Sequence, residues 1–159
     1  MDDKVLRKTM VNLLKGGQAY VTAEQALEDL NEEVVNIHPK EDIHSIWQEL
    51  EHMRIAQEDI LKYTVDPSWK SPKWPDMYWP SFDEKGTWEN WEGSVSKFNL
   101  NLDELIGLTL NTKIDLTSQI PHGDAGHTYL REILLAADHN AYHLGQIVII
   151  RKLLGEWKL

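Results

Sequence analysis

The sequence predicts an all-α protein, an antiparallel four-helix bundle with a long crossover loop rich in tryptophan and proline. Apolar residues recur at spacings of three and four along four segments, which is the period of a helix that packs one face on a core. No segment shows the alternation of a half-buried strand, and the chain has no internal repeat. Its 159 residues are the length of one domain with a substantial core.

The first two helices are predicted near the N-terminus. Residues 4–15 place leucine and methionine side chains on one face, and Gly16-Gly17 ends that helix. Thr22 starts a second, shorter helix, with Gln25 three residues later as its capping-box partner.

Three longer helices are predicted over about residues 41–63, 87–113 and 128–154. The first of them follows Pro39 and ends at Asp66-Pro67, because a residue before proline is disfavoured in the helical conformation. Gly155 ends the last helix, since glycine readily adopts the left-handed conformation that closes a helix.

The segment between residues 65 and 86 is predicted to be an ordered crossover loop. It contains four of the six prolines, which is too many for a helix, and it is too apolar for a disordered linker. We expect its aromatic rings to pack on the bundle, and the loop is a candidate cover for the mouth of a pocket. The aromatic residues concerned are Trp69, Trp74, Tyr78, Trp79 and Phe82.

The charge of the chain argues against nucleic acid as a partner. With 26 acidic and 16 basic side chains, the formal net charge is −10, and such a surface repels phosphate backbones. No apolar run has the length of a membrane span, and residues 1–4 lack the plan of a signal peptide. We therefore expect a cytoplasmic protein that binds neither nucleic acid nor membranes.

The absence of cysteine from the sequence limits the available chemistry. It excludes disulfides, thiolate nucleophiles and cysteine-ligated metal sites. Any metal must be bound mainly by histidine nitrogens and by carboxylate or water oxygens. Any thiol that takes part in a reaction must come with the substrate.

Two histidines four residues apart, His139 and His143, are the most informative feature of the sequence. Four residues turn a helix by about 400°, so both imidazoles leave the same face, roughly 6 Å apart along the axis. Apolar residues flank the pair on both sides, which favours an interior position where unpartnered imidazoles are costly. The helix could thus supply two ligands to a metal ion, although ordinary core or surface histidines show the same spacing.

A third ligand would come from another helix, because a catalytic metal site typically uses three protein ligands and keeps one position open. His52 is our first candidate, since it lies on a core-facing edge in the middle of a long predicted helix. His44 is the rival; in a continuous helix it lies about 80° around and roughly 12 Å along the axis from His52, so one ion could not readily bind both. The remaining histidines fall in predicted loops or at a helix start, where we expect exposed or capping roles: His38, His122 and His127.

The spacing of the pair also occurs in zinc proteases. Their His-Glu-x-x-His motif has a glutamate general base directly after the first histidine. Here Asn140 has that position, and an amide is not a useful base. The chemistry therefore excludes a protease of that class.

Two stretches of the sequence resemble a known family. They are DHNAYHLGQ at residues 138–146 and IWQELEHMR at residues 46–54, and together they resemble the DinB/YfiT-like superfamily of metal-binding four-helix bundles. The resemblance spans nearly the whole chain and implies one DinB-like domain over residues 1–159. It also implies a homodimer, although the sequence does not locate an interface.

In that family, three histidines from two helices bind a divalent metal ion. The resemblance implies that His52, His139 and His143 are the ligands here, with Zn, Ni and Mn as the candidate ions. Members with assigned activity include thiol-dependent S-transferases and isomerases, and hydrolase-like activity has been proposed for others. The substrate would be a small molecule, with a low-molecular-weight thiol as one candidate.

Our leading hypothesis from the sequence is a metal-dependent enzyme, S-transferase-like or hydrolase-like. It would activate a small thiol or water for attack on an electrophile, and the sequence does not assign its catalytic residues. Two alternatives stay open: a non-catalytic metal-binding or ligand-sensing bundle, and a bundle whose histidines only pack.

Four further residues are candidates for supporting roles at such a site. Asp59, about two turns after His52, and Asp138 are candidate bases or hydrogen-bond partners of the ligands, with solvated carboxylates on a helix face as the alternative. Tyr142 and Gln146 are candidates for orienting ligands or substrate, with packing as the alternative for Tyr142.

Overall fold

The computed structural model describes residues 2–157, and within that range the protein is all-α with six helices and no strand. Four helices are long: α1 (Asp3–Lys15), α4 (Ile46–Val65), α5 (Trp88–Leu110) and α6 (Tyr129–Leu154). Two are short, α2 (Ala23–Leu27) and α3 (Glu32–Val35). The connector before α6 contains an isolated antiparallel bridge between Gln119 and Thr128.

The four long helices pack together as a bundle. α4 contacts both α5 and α6, and α1 contacts the same two helices, while α2 lies on α6 and α3 on α4. The prediction of an all-α helical bundle is therefore confirmed. The antiparallel order of the helices and a single domain over residues 1–159 stay predictions.

The core contains two apolar clusters that share α4, α5 and α6. On α6, the buried residues of one cluster end at Ala137 and those of the other begin at Leu144. His139 and His143 therefore lie between the two clusters, where α6 packs on α4. Since both clusters bury apolar surface between the same helices, they fix the spacing of α4 and α6 at this level.

Hydroxyl side chains define where most helices begin. Ser45, Thr22 and Thr87 each accept a hydrogen bond from the backbone three residues later, and the side chain there accepts one in return. Thr128 caps α6 through the backbone N–H of Arg131. These caps satisfy backbone donors that have no partner within a helix, and they confirm the predicted starts near residues 22, 87 and 128.

The predicted start of α4 is wrong. The sequence analysis placed it near residue 41, whereas residues 41–44 are not helical and the helix begins at Ile46. The capping box of Ser45 and Gln48 decides the start, because it satisfies the first free backbone donors at that point. The short α3, with Asn31 as its cap, was not predicted.

None of the helices in the described part of the chain combines the length and apolar composition that a transmembrane segment needs.

Candidate metal centre

Three histidines from two helices converge between the core clusters. His52 projects from α4, and His139 and His143 project from successive turns of α6. One ring nitrogen of each lies within 4.8 Å of those of the other two, and the Nε2 atoms of His52 and His139 are 3.1 Å apart. Two nitrogen ligands of a tetrahedral zinc ion would be about 3.3 Å apart, given Zn–N bonds of about 2.0–2.1 Å. The spacing therefore suits a divalent ion.

Burial keeps two of these imidazoles neutral. His52 is only 2% exposed, and burial lowers its pKa to about 4 against the raising effect of its hydrogen bond to the Tyr78 carbonyl. Burial, with His143 and His52 nearby, lowers the pKa of His139 to about 3. Neutral imidazole is the form that binds metal, so both rings are in the binding form at neutral pH.

Hydrogen bonds orient the rings of His52 and His143. His52 Nδ1 donates to the backbone carbonyl of Tyr78 at 2.8 Å, and His143 Nδ1 donates to Glu49 Oε2 at 2.7 Å. Since a carbonyl oxygen can only accept, the proton of His52 lies on Nδ1, and Nε2 presents a lone pair. This arrangement, in which the outer nitrogen donates and the inner one is free, is typical of metal-binding histidines.

His139 has no arrangement that satisfies both of its nitrogens. Its Nδ1 is buried without a hydrogen-bond partner, and its Nε2 faces the Nε2 of His52. If the proton lies on Nε2, the buried Nδ1 has no donor; if it lies on Nδ1, two lone pairs face each other. Unsatisfied buried polar atoms are rare and costly. A cation between the Nε2 atoms would use both lone pairs, so the residues present fit a divalent metal ion.

Glu49 is a site residue that the sequence analysis missed. Its side chain lies on α4, is buried, and binds His143 through Oε2, while its Oε1 is 3.7 Å from His44 Nδ1. A signal existed in the sequence, because Glu49 precedes His52 by three residues and such pairs share a helix face. Nothing in the sequence, however, indicated that this face meets His143.

The crossover loop packs Trp79 on the histidines. The indole stacks on the imidazole of His52, with ring centroids 3.7 Å apart and planes at 4°. The indole also stacks on His44 at 4.1 Å and lies edge-on to His143 at 5.8 Å. The prediction that loop aromatics pack on the bundle is confirmed for Trp79 and for the buried Tyr78. It is wrong for Trp74, which is 66% exposed.

A cavity of about 620 Å³ opens onto the three histidines. Trp74 and Trp79 of the crossover loop, Tyr142 and Gln146 of α6, and Asp42 also line it. Cavities of this size typically bind small molecules. The cluster is therefore reachable from outside the bundle.

The comparison with protein families decides the family. The sequence model of the DinB superfamily matches residues 17–147, which are most of the chain and include all three histidines. The chain belongs to the DinB superfamily. This confirms the resemblance found in the sequence. Neither a curated protein nor a solved structure matches this DinB chain significantly.

Asp59 contributes to the DinB site indirectly. Its carboxylate accepts hydrogen bonds from the Tyr78 hydroxyl at 2.5 Å and from the Trp69 indole N–H at 2.8 Å. Burial, followed by the hydrogen bond to Asp59, raises the pKa of Tyr78. Asp59 thus fastens the loop whose Tyr78 carbonyl binds His52, and its contact with that histidine is indirect.

His44 does not lie where the sequence analysis placed it. It precedes α4 instead of forming part of it, so the helical separation of His44 and His52 that we expected is wrong. It stacks on Trp79 and is not one of the three converging histidines.

The other sequence candidates have varied surroundings. Asp138 is exposed, and Tyr142 is 63% exposed with its ring edge-on to His143. Asn140 is buried and donates to Gln57 Oε1 at 2.7 Å, which indicates a structural role. The histidines expected outside the site each contact a neighbouring carbonyl or hydroxyl: His38, His122 and His127.

Proposed function

We propose that this DinB-superfamily protein binds a divalent metal ion through His52, His139 and His143. We further propose that it is an enzyme, S-transferase-like or hydrolase-like, which activates a small thiol or water for attack on an electrophile. The observation that supports metal binding most directly is the 3.1 Å approach of the Nε2 atoms of the buried His52 and the half-buried His139, the second of which belongs to a ring that no hydrogen-bond arrangement satisfies.

The roles of the protein's own residues follow from their hydrogen bonds. His52 and His143 present Nε2 to the centre because the Tyr78 carbonyl and the Glu49 carboxylate bind their outer nitrogens. The Glu49 carboxylate also offsets part of a cation's charge. Trp79 covers one face of His52 and so excludes water from that side. A bound divalent ion supplies a Lewis acid that lowers the pKa of a thiol or of water.

A small thiol is the favoured co-substrate for two reasons. The protein has no cysteine, so a sulfur nucleophile must enter from solution. The cavity that reaches the histidines has room for a small molecule, and the thiol-dependent members of the superfamily set a precedent.

Metal analysis tests the first part of the proposal. Purified protein should contain about one Zn, Ni or Mn per chain by mass spectrometry, and His52→Ala should abolish that content. His122→Ala is the matched control, because His122 lies in an exposed connector. A wild-type protein that binds none of the three ions would refute metal binding.

A thiol-transfer screen tests the second part. The metal-loaded protein is incubated with small thiols and with alkylating or epoxide electrophiles, and product formation is compared with that of metal-stripped protein. Metal-dependent turnover of any pair supports an enzyme. Hydrolysis of the electrophile without thiol would instead support the hydrolase-like form.

A non-catalytic metal-binding or ligand-sensing bundle is the second candidate. It is favoured by the engagement of Glu49, the buried carboxylate at the site, with His143, since an engaged carboxylate is a poor general base. Metal binding without turnover across the screen would support it. Homodimerisation, proposed on family resemblance alone, is tested by sedimentation of the purified protein.

A further inference from the structure

Within residues 2–157, the cavity over the histidines is lined by acidic side chains and by no basic lysine or arginine. Two carboxylates line it, those of Glu49 and Asp42. Among residues 2–157, no lysine or arginine lines it. Lys73 is the neighbour of the lining residue Trp74 in the chain, but its Nζ lies 3.0 Å from Asp76 Oδ2. An entering anion would therefore meet carboxylates without a side-chain cation to bind it.

A bound metal ion would bring the charge of the cavity lining close to zero and would not make it positive. A divalent ion held by the three histidines would add two positive charges, which the carboxylates of Glu49 and Asp42 match. The surrounding protein has a formal net charge of −10. The field at the mouth of the cavity thus favours the approach of cations over anions, since the summed charge steers ligands at distances up to about 10 Å.

Aromatic side chains form the outer wall of the cavity. Trp74 is 66% exposed and Tyr142 is 63% exposed, yet both line the cavity. Large aromatic rings left in water at a cavity mouth commonly contact ligands. Their faces attract cations and stack on flat apolar groups.

We propose that this cavity selects small aromatic or apolar molecules that are neutral or cationic, and that it discriminates against anions. Asp42 and the exposed rings of Trp74 and Tyr142 are the residues that set this preference. The inference rests on the proposed function only in taking the cavity over the histidines as the substrate site. It restricts both the thiol and the electrophile to molecules without additional carboxylate, sulfonate or phosphate groups.

Three probes of similar size and different charge test the preference: benzyltrimethylammonium, benzyl alcohol and benzenesulfonate. None of them has a thiol, so their binding does not depend on thiol activation. Each is titrated into the protein with its metal bound, and the indole N–H signals of Trp74 and Trp79 are followed by NMR. The signals are assigned with Trp74→Phe and Trp79→Phe. We expect the ammonium probe to bind about tenfold more tightly than the sulfonate at low ionic strength, and the ratio to shrink in high salt.

Asp42→Asn and Asp103→Asn change the net charge by the same amount, so together they separate an effect local to the cavity from a global one. Asp42→Asn should reduce the ratio of ammonium to sulfonate affinity about threefold, and Asp42→Lys should bring it to one or below. Asp103→Asn, which removes an exposed carboxylate on α5, should leave the ratio unchanged.

Two results would overturn the inference. The first is binding of benzenesulfonate as tight as that of benzyltrimethylammonium, and the second is the absence of binding by all three probes. Failure of the proposed function gives a different pattern. If the protein contains no metal but still prefers the ammonium probe, the proposed metal-dependent function is wrong and the proposed charge selectivity stands.

Discussion

Two buried polar regions of this protein differ in how completely their hydrogen bonds are made. Arg7 of α1 is 4% exposed, and every nitrogen of its guanidinium donates: Nε to Asp3, Nη1 to the carbonyls of Thr109 and Asn111, and Nη2 to that of Ile114. Two of the three histidines in the cluster are also buried, yet the half-buried His139 has a buried nitrogen without a partner. Every nitrogen of the Arg7 guanidinium has a partner, whereas one nitrogen of the histidine cluster has none.

Under the proposed function the two regions have different roles, one in folding and one in metal binding. A buried cation that donates to several carbonyls ties chain segments together, because it replaces water at all of those carbonyls at once. A buried polar atom without a partner costs free energy, but one also occurs at Asn140 Oδ1, so it is the 3.1 Å approach of the His52 and His139 Nε2 atoms that favours a ligand here. Changes at Arg7 should therefore affect folding, whereas changes at the histidines should affect metal binding.

The largest effect is expected from His143→Ala. Removal of one of three ligands should lower the affinity for Zn²⁺ by on the order of 10³-fold or more, measured by competition with a chromogenic chelator. His122→Ala should leave the affinity unchanged. Equal affinities of His143→Ala and wild type would show that His143 is not a ligand.

Arg7→Met tests the other side of the comparison. It leaves three backbone carbonyls without their donor and should lower the free energy of unfolding by about 3 kcal/mol, measured by urea denaturation of metal-free protein. The affinity for metal should stay at the wild-type value. Lys8→Met, which removes an exposed charge on the same helix, is the control and should cost little.

Glu49→Gln sharpens the comparison within the site. The amide keeps the shape of the side chain but weakens the hydrogen bond to His143 Nδ1, so metal affinity should fall ten- to a hundredfold. Glu89→Gln removes an exposed carboxylate at the start of α5 and should have no such effect. A loss shared by both variants would indicate a general charge effect instead.

Asp59→Asn tests a longer chain of contacts. It weakens the hydrogen bonds that fasten the crossover loop, and the Tyr78 carbonyl should then hold His52 less firmly. We expect a loss of metal affinity of about three- to tenfold, measured by the same chelator competition. Asp103→Asn is the matched control, and a wild-type affinity of Asp59→Asn would rule out a positioning role.

The smallest effect concerns pH in metal-free protein. Burial lowers the folded-state pKa of His52 to about 4 and that of His139 to about 3, both from 6.5. Below pH 6.5 the unfolded chain therefore binds protons that the folded chain refuses, so stability falls as the pH falls through this window. Between pH 7 and 6, where carboxylates stay ionised, the thermal midpoint should drop by a few degrees. A double variant, His52→Gln with His139→Asn, should show a smaller drop.

The sequence predicted much of the fold because its signals were local. Periodic apolar faces marked the long helices, and Thr22, Thr87 and Gly155 marked their ends. The start of α4 was wrong because Pro39 was given more weight than the capping box of Ser45 and Gln48. The four-residue α3 has no periodicity to detect, since it is barely one turn long.

The site was predictable only in part, because its contacts join distant segments. The spacing of His139 and His143 fixed their common face, and a core-facing position singled out His52. The partnership of Glu49 with His143 joins residues 94 apart in the chain, and no local pattern encodes it. The role of Asp59 likewise depends on where the crossover loop folds back. The assignment of the three histidines as metal ligands stays a prediction.

The distance in sequence between His52 and His139 has a consequence for folding. They lie 87 residues apart, so an ion bound to both would close a long loop, as a disulfide does in proteins that have cysteine. Closing such a loop restricts the unfolded chain and stabilises the native one, by up to several kcal/mol for a permanent cross-link. Unlike a disulfide, this cross-link would be reversible, and its strength would follow the supply of metal. In a cysteine-free protein, metal availability would then set not only activity but also the lifetime of the folded chain.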